Sequence, residues 1–200
     1  EPYYFNPTNL LKSSLTIILD RDARDNPFFP NRGHKVNVSA FLAGGFLGGD
    51  ENVYGWEVKG EQYFNPWWGH IVDFKARAKV VDEYGDTAEM PISDRIYAGG
   101  AGWGYGIRGF GYRDVGPKVM RQIGATDQID YRPIGGRTMV LGTAEYVIPV
   151  FEKFKIALFF DAGNVMEDAY DFSFDSMAAS AGIELRLDMP QFPIRINYGW

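Results

Sequence analysis

The chain has 200 residues, a net charge of −6 and no cysteine. The missing cysteines exclude a disulfide framework, a zinc–thiolate centre and a cysteine nucleophile, and the acidic balance excludes the basic footprint of a nucleic-acid binder. Aromatic residues reach 16% and glycines number 24, while no apolar run of about 18 residues occurs, so strands and tight loops are indicated and a membrane-spanning helix is not.

Taken in chain order, the predicted elements share a period of two. Leu15 to Leu19 is a short strand. Lys35 to Phe46 places Val36, Val38, Ala40 and Leu42 on one side. Tyr54 to Tyr63 opposes Tyr54, Trp56 and Val58 to Glu57, Lys59 and Glu61. Ile71 to Val81 is the sharpest case: Val72, Phe74, Ala76, Ala78 and Val80 share a face, and Asp73, Lys75, Arg77 and Lys79 share the other. Four charges on one strand face suit the polar interior of a large barrel better than a small soluble sandwich. Thr138 to Ile148 sets Val140, Gly142, Ala144, Tyr146 and Ile148 against Thr143 and Glu145. Phe154 to Gly163 groups Phe154, Ile156, Leu158 and Phe160. Met177 to Asp188 sets an apolar face against one carrying Glu184, Arg186 and Asp188, and Ile194 to Tyr198 is a clipped strand. The predicted fold class is all-β: a transmembrane antiparallel β-barrel segment of about eight strands, most near the length that a tilted strand needs to cross a bilayer.

The connections alternate in character. One set is compact and rich in proline and aromatics: Asn26-Pro27-Phe28-Phe29-Pro30, Phe64 to Trp68, Pro149 to Phe151, and Met189 to Pro193. The other is polar or long: Leu47 to Val53, roughly Asp82 to Arg137, and Val165 to Ser176. Short turns at one rim and long loops at the other is the outer-membrane barrel plan, with Phe28, Phe29, Trp67, Trp68, Phe151 and Phe192 expected in an aromatic girdle at the short-turn interface. The long loop over 82–137 carries a glycine-rich stretch, Tyr97 to Phe110, whose composition permits packing inside a narrow space. No domain boundary stands out, so residues 1–200 are expected to form a single barrel segment.

Three stretches resemble the BamA family, outer-membrane barrels that insert other barrels. Asp25-Asn26-Pro27-Phe28-Phe29-Pro30-Asn31-Arg32-Gly33 is similar to the family's short periplasmic turn. Tyr97-Ala98-Gly99-Gly100, then Ile107-Arg108-Gly109-Phe110 and Gly116-Pro117, resembles its Val-Arg-Gly-Phe loop, with Ile107 a conservative departure. Phe159-Phe160-Asp161-Ala162-Gly163-Asn164-Val165 followed by Ser180-Ala181-Gly182-Ile183 is the third. The resemblance implies strands eight to fifteen of a sixteen-stranded barrel and a sixth extracellular loop folded into the lumen. It places the periplasmic POTRA domains outside this chain. It further implies that Arg108 pairs with Glu145 and Asp161, both of which the period of two places on the lumen face, with Phe110 against the inner wall. A guanidinium between two carboxylates locks a loop by charge-assisted hydrogen bonds, whereas the plain alternative is a solvated surface arginine.

The function so implied is outer-membrane protein assembly. A multi-pass barrel in the outer membrane would fold and insert nascent barrel proteins, beside accessory lipoproteins and in contact with the lipid bilayer, without covalent chemistry. A two-partner-secretion-type translocation pore of the same superfamily is the alternative, and a soluble β-sandwich binding module the remote one. No cofactor, metal, catalytic residue or nucleic-acid partner is expected. Gly104, Gly106 and Gly109 match G-x-G-x-x-G, but a dinucleotide site needs a strand before the motif and a helix after it. His34 and His70 stand far apart in sequence and read as interfacial polar residues.

Overall fold

A computed structural model of the chain describes residues 11–87, 89–101, 106–122, 129–189 and 192–200. Gly104 of the glycine motif and Pro190 and Gln191 of the last turn lie outside the described residues. The elements in chain order are β1 (Ser14–Asp22), β2 (Gly33–Ala43), β3 (Val53–Phe64), β4 (Ile71–Glu83), β5 (Lys118–Gln122), β6 (Ile129–Pro133), β7 (Thr138–Pro149), β8 (Phe154–Met166), β9 (Ala178–Leu187) and β10 (Ile194–Gly199). Among the described residues, eight of these form one antiparallel sheet in the order β1-β2-β3-β4-β7-β8-β9-β10. β1 and β10 are its two edges.

The period of two explains the sheet. Along β9 the burial alternates, with Ser180, Glu184 and Arg186 buried and Ile183 and Leu185 exposed. An exposed aliphatic face opposite a buried charged face is the reverse of a soluble protein, and is what a wall with lipid outside requires. β4 repeats it, with Asp73 and Lys75 buried and Phe74 half-exposed.

The structure departs from the sequence expectations in two details. β2 ends at Ala43 rather than at Phe46, because Gly44, Gly45 and Gly48 take positive φ angles and a 3-10 turn, Gly45–Leu47, leaves Phe46 in the open. The loop over 82–137 also carries two strands that the period of two did not predict: β5 and β6 pair within it as a separate two-stranded sheet.

The inner face of the sheet is divided. At the end where the long connections emerge, Val53, Val81, Met139, Leu141 and Val165 of the wall pack with Met90, Ile96, Ala98, Ile107 and Val115 of the long loop. Deeper the inner face is ionic, with a small second apolar cluster of Tyr63, Ile71, Val147 and Ala157 next to the short turns. The expectation of a polar interior therefore holds for only part of it, because the loop brings its own apolar surface to the upper wall.

At the short-turn end, Phe28 is exposed and Phe29 half-buried. They line the mouth of the inner face with Arg24, Tyr63, Asp73 and Lys75. The turn is self-built: Asn26 Oδ1 accepts from the N–H groups of Phe28 (2.9 Å) and Phe29 (3.1 Å), and Asp25 Oδ1 accepts from those of Asn31 (2.9 Å) and Arg32 (3.2 Å). Trp67, Trp68, Phe151 and Phe192 are exposed, as an aromatic rim requires.

Candidate functional site: the loop seated in the wall

The loop between β4 and β7 is held at its base and braced along its length. Val81 N–H donates to Arg137 O at 2.8 Å, and the Arg137 guanidinium reaches Asp82 (3.0 Å) and Glu83 (2.8 Å). Higher up, Ile96 and Gly136 exchange backbone hydrogen bonds, Val115 N–H donates to Ala98 O, and Gly100 N–H donates to Phe110 O. These bonds satisfy backbone groups that burial would otherwise strand. They let the stretch around Ile107 turn inward, where Ile107 is fully buried and Phe110 packs at the margin of the apolar cluster.

Arg108 follows directly and is only 5% exposed. Its Nε and Nη2 each lie 2.7 Å from the two oxygens of Asp161, a bidentate fork, and its own backbone N–H donates to Asp161 Oδ2 at 3.0 Å. Nη1 reaches Glu145 Oε1 at 2.6 Å and Glu184 Oε2 at 3.1 Å. The guanidinium carbon stands 3.6 Å from the ring centroid of Phe159, a cation–π contact in a site shielded from water. Burial disfavours its charge, but the hydrogen bonds it donates to Asp161 and the field of Glu145 outweigh that and hold its pKa above the usual arginine value.

The carboxylates are themselves supported. Thr143 on β7 stands opposite Asp161 on β8, and its hydroxyl donates to Asp161 Oδ1 at 2.9 Å. Glu145 also receives Lys75 Nζ (2.7 Å) and Arg186 Nη2 (2.7 Å), Lys75 continues to Asp73 (2.9 Å), and Arg186 Nε bonds Glu184. The result is a chain of alternating charge across β4, β7, β8 and β9, which Arg108 joins from the loop. A buried pair of this kind is poor evidence of net stability, but deleting one partner leaves a bare charge and costs about 3–5 kcal/mol.

Of the residues singled out from sequence, the structure brings Ile107, Arg108, Gly109 and Phe110 to the wall and joins Arg108 to both Glu145 and Asp161. Of the turn residues Asn26, Pro27, Phe28, Phe29 and Pro30, the last three line a cavity together with Asp73, Lys75 and Arg186 of the ionic chain. Sequence reading missed Glu184 as a third carboxylate on Arg108, although its alternation with Ile183 and Leu185 was visible. It also missed Phe159 as the ring beneath the guanidinium, for which no signal in one sequence existed beyond its inward parity. His70 Nδ1 lies 2.7 Å from the Tyr146 hydroxyl. No group of three potential metal ligands occurs among the described residues.

The Omp85 superfamily domain matches residues 4–200. The chain is similar to the outer membrane protein assembly factor BamA of Nitratidesulfovibrio vulgaris, 28% identical over 193 residues that cover 95% of this chain and 23% of that protein. It is 28% identical over 199 residues to a SAM50-like protein of Drosophila melanogaster, covering 94% of this chain and 40% of the relative. The crystal structure of BamA from Haemophilus ducreyi lacking POTRA domains 1–3 matches with a TM-score of 0.77 at 23% identity, over 94% of this chain and 38% of that one, which supports the barrel fold. The chain thus spans between 23% and 40% of the length of these relatives. A lipid-facing aliphatic wall, a charged inner face and this match over almost every residue agree: the chain belongs to the Omp85 superfamily, as a barrel region similar to that of BamA, a protein of the outer membrane.

Proposed function

We propose that the chain is the barrel part of an outer-membrane protein assembly factor that folds and inserts other β-barrels, and that the loop carrying Ile107, Arg108, Gly109 and Phe110 is locked to its inner wall to keep the barrel competent. The observation that carries this reading is Arg108, buried from the loop into the carboxylates of Asp161, Glu145 and Glu184. The kinship with an assembly factor and a SAM50-like protein supports the choice of client assembly over secretion. The clients are nascent outer-membrane barrels, the accessory partners are lipoproteins of an assembly complex, and the step requires no covalent chemistry. Insertion of a barrel is opposed by unpaired strand edges in lipid, and a folded, rigid wall beside the client lowers that barrier.

The test is Arg108→Ala in the full-length protein. Heat-modifiable gel mobility reads the compact barrel, and the steady-state level of other outer-membrane barrels reads assembly. Loss of client barrels with a weakened compact form supports the reading. Normal mobility with normal client levels overturns it.

A further inference from the structure

Arg108 and its carboxylates explain what attracts the loop but not why its backbone lies so close to the wall. The register supplies the answer. Asp73, Glu145, Phe159, Gly182 and Gly199 are direct partners across β4, β7, β8, β9 and β10, so they form one straight row on the inner face. The first two carry carboxylates, the third a ring, and the last two nothing. Where the side chains stop, the wall is bare backbone over two adjacent strands, and this hollow is filled from both directions.

The Phe159 ring leans over Gly182, where a methyl group would meet ring carbons at 2.4 and 2.8 Å. The loop comes down on Gly199, where a methyl would lie 3.1 Å from Gly109 N and 3.3 Å from both Arg108 C and Gly109 Cα. Seen from the loop, Gly109 holds φ at +86°, and a methyl there would lie 3.2 Å from the carbonyl carbon and oxygen of Gly199. Backbone rests on backbone, and the ring laid across Gly182 is the same ring that carries the Arg108 guanidinium.

We propose that Gly182 and Gly199 form a notch that positions the lumen loop, seating Gly109 and Phe159 so that Arg108 meets its carboxylates. The proposal rests on the reading of Arg108 as a loop lock and adds a steric register to it. The notch depends on strand pairing as well as on residue type. If β10 slipped along β9 by two residues, which keeps its inner face, Asn197 would stand where Gly199 stands, and its side chain would fill the hollow. The loop therefore senses the register of β10.

The test uses the full-length protein, with hydrogen exchange of the Arg108 backbone amide as reporter, because that N–H donates to Asp161 only when the loop is seated. Compact gel mobility is read in parallel. Gly199→Leu is expected to speed exchange at Arg108 by about tenfold or more while the compact barrel form persists, with Gly199→Ala intermediate. Tyr198→Leu, at the exposed neighbouring position, is expected to leave the amide protected. Wild-type protection in both Gly199 variants overturns the notch. If Gly199→Leu fails to form a compact barrel, Gly199→Ala decides, since it asks the loop to move by only a few tenths of an ångström. Normal client assembly in Arg108→Ala combined with fast exchange in the Gly199 variants would remove the lock and leave the notch standing. The reverse pattern would remove the notch alone.

Discussion

Asp161 is the residue on which the seated loop depends most. It accepts from three nitrogens of Arg108, one of them backbone, and from Thr143. Glu184, in contrast, shares Arg108 with stronger partners at 3.1 Å and retains Arg186 when Arg108 is gone. Asp161→Ala is therefore expected to lower the thermal midpoint of the compact form, with a cost of about 3–5 kcal/mol because a buried guanidinium loses its fork. Glu184→Gln is expected to cost about 1–2 kcal/mol, as one charge-assisted bond weakens. A midpoint equally insensitive to both would show that Arg108 is solvated in the membrane. Arg108→Lys is not conservative here, since an ammonium cannot span Asp161 and Glu145 in one plane or lie flat on Phe159.

Among the elements, the β1–β2 turn gives a prediction of a different kind. Asp25 is slightly buried, which raises its pKa, but the amides of Asn31 and Arg32 outweigh this and hold it below the usual carboxylate value. A carboxylate depressed in the folded state stabilises the turn at pH values above its unfolded pKa and loses that contribution as pH falls through its folded pKa. Exchange protection of the Asn31 and Arg32 amides, corrected for intrinsic rates, is expected to be constant near neutrality and to fall below about pH 4. Asp25→Asn should flatten that dependence; an unchanged pH profile would mean the Asp25 bonds do not hold the turn. The strands themselves were legible because one buried charge at every second position, as in Asp73 and Lys75, fixes both the element and its inner face. Glu145 and Asp161 were legible as partners of Arg108 by parity together with the family likeness. The upper wall was not, since Met139, Leu141 and Val165 face the loop rather than lipid, and an apolar residue covered by protein has the same letter as one covered by acyl chains. Nor was the notch, because glycines on a strand carry no pattern until the register aligns them.

For the whole molecule, the division of the inner face decides what holds the loop. The apolar contacts of Ile107, Met90, Ile96 and Val115 lie at one end, and the ionic contacts of Arg108 lie below them with little access to water. Salt shortens the Debye length from about 10 Å at 0.1 M to about 3 Å at 1 M, but screens buried pairs weakly and leaves apolar contacts intact. Protection of the Arg108 amide is thus expected to be the same at both concentrations, and a salt-released loop would contradict the buried arrangement. Ile107→Ala is expected to loosen it instead, by about 2–5 kcal/mol. The ionic chain also couples the loop to the wall during folding. Among the buried wall residues around Arg108, Asp73, Glu145, Asp161 and Glu184 are acidic and only Lys75 and Arg186 are basic. Arg108 adds a third buried cation to this set, with the partly exposed Arg195 of β10 3.7 Å from Glu184. Strands β7, β8 and β9 paired without the loop would crowd more surplus negative charge into a low-dielectric face, so seating of the loop and completion of the wall favour one another.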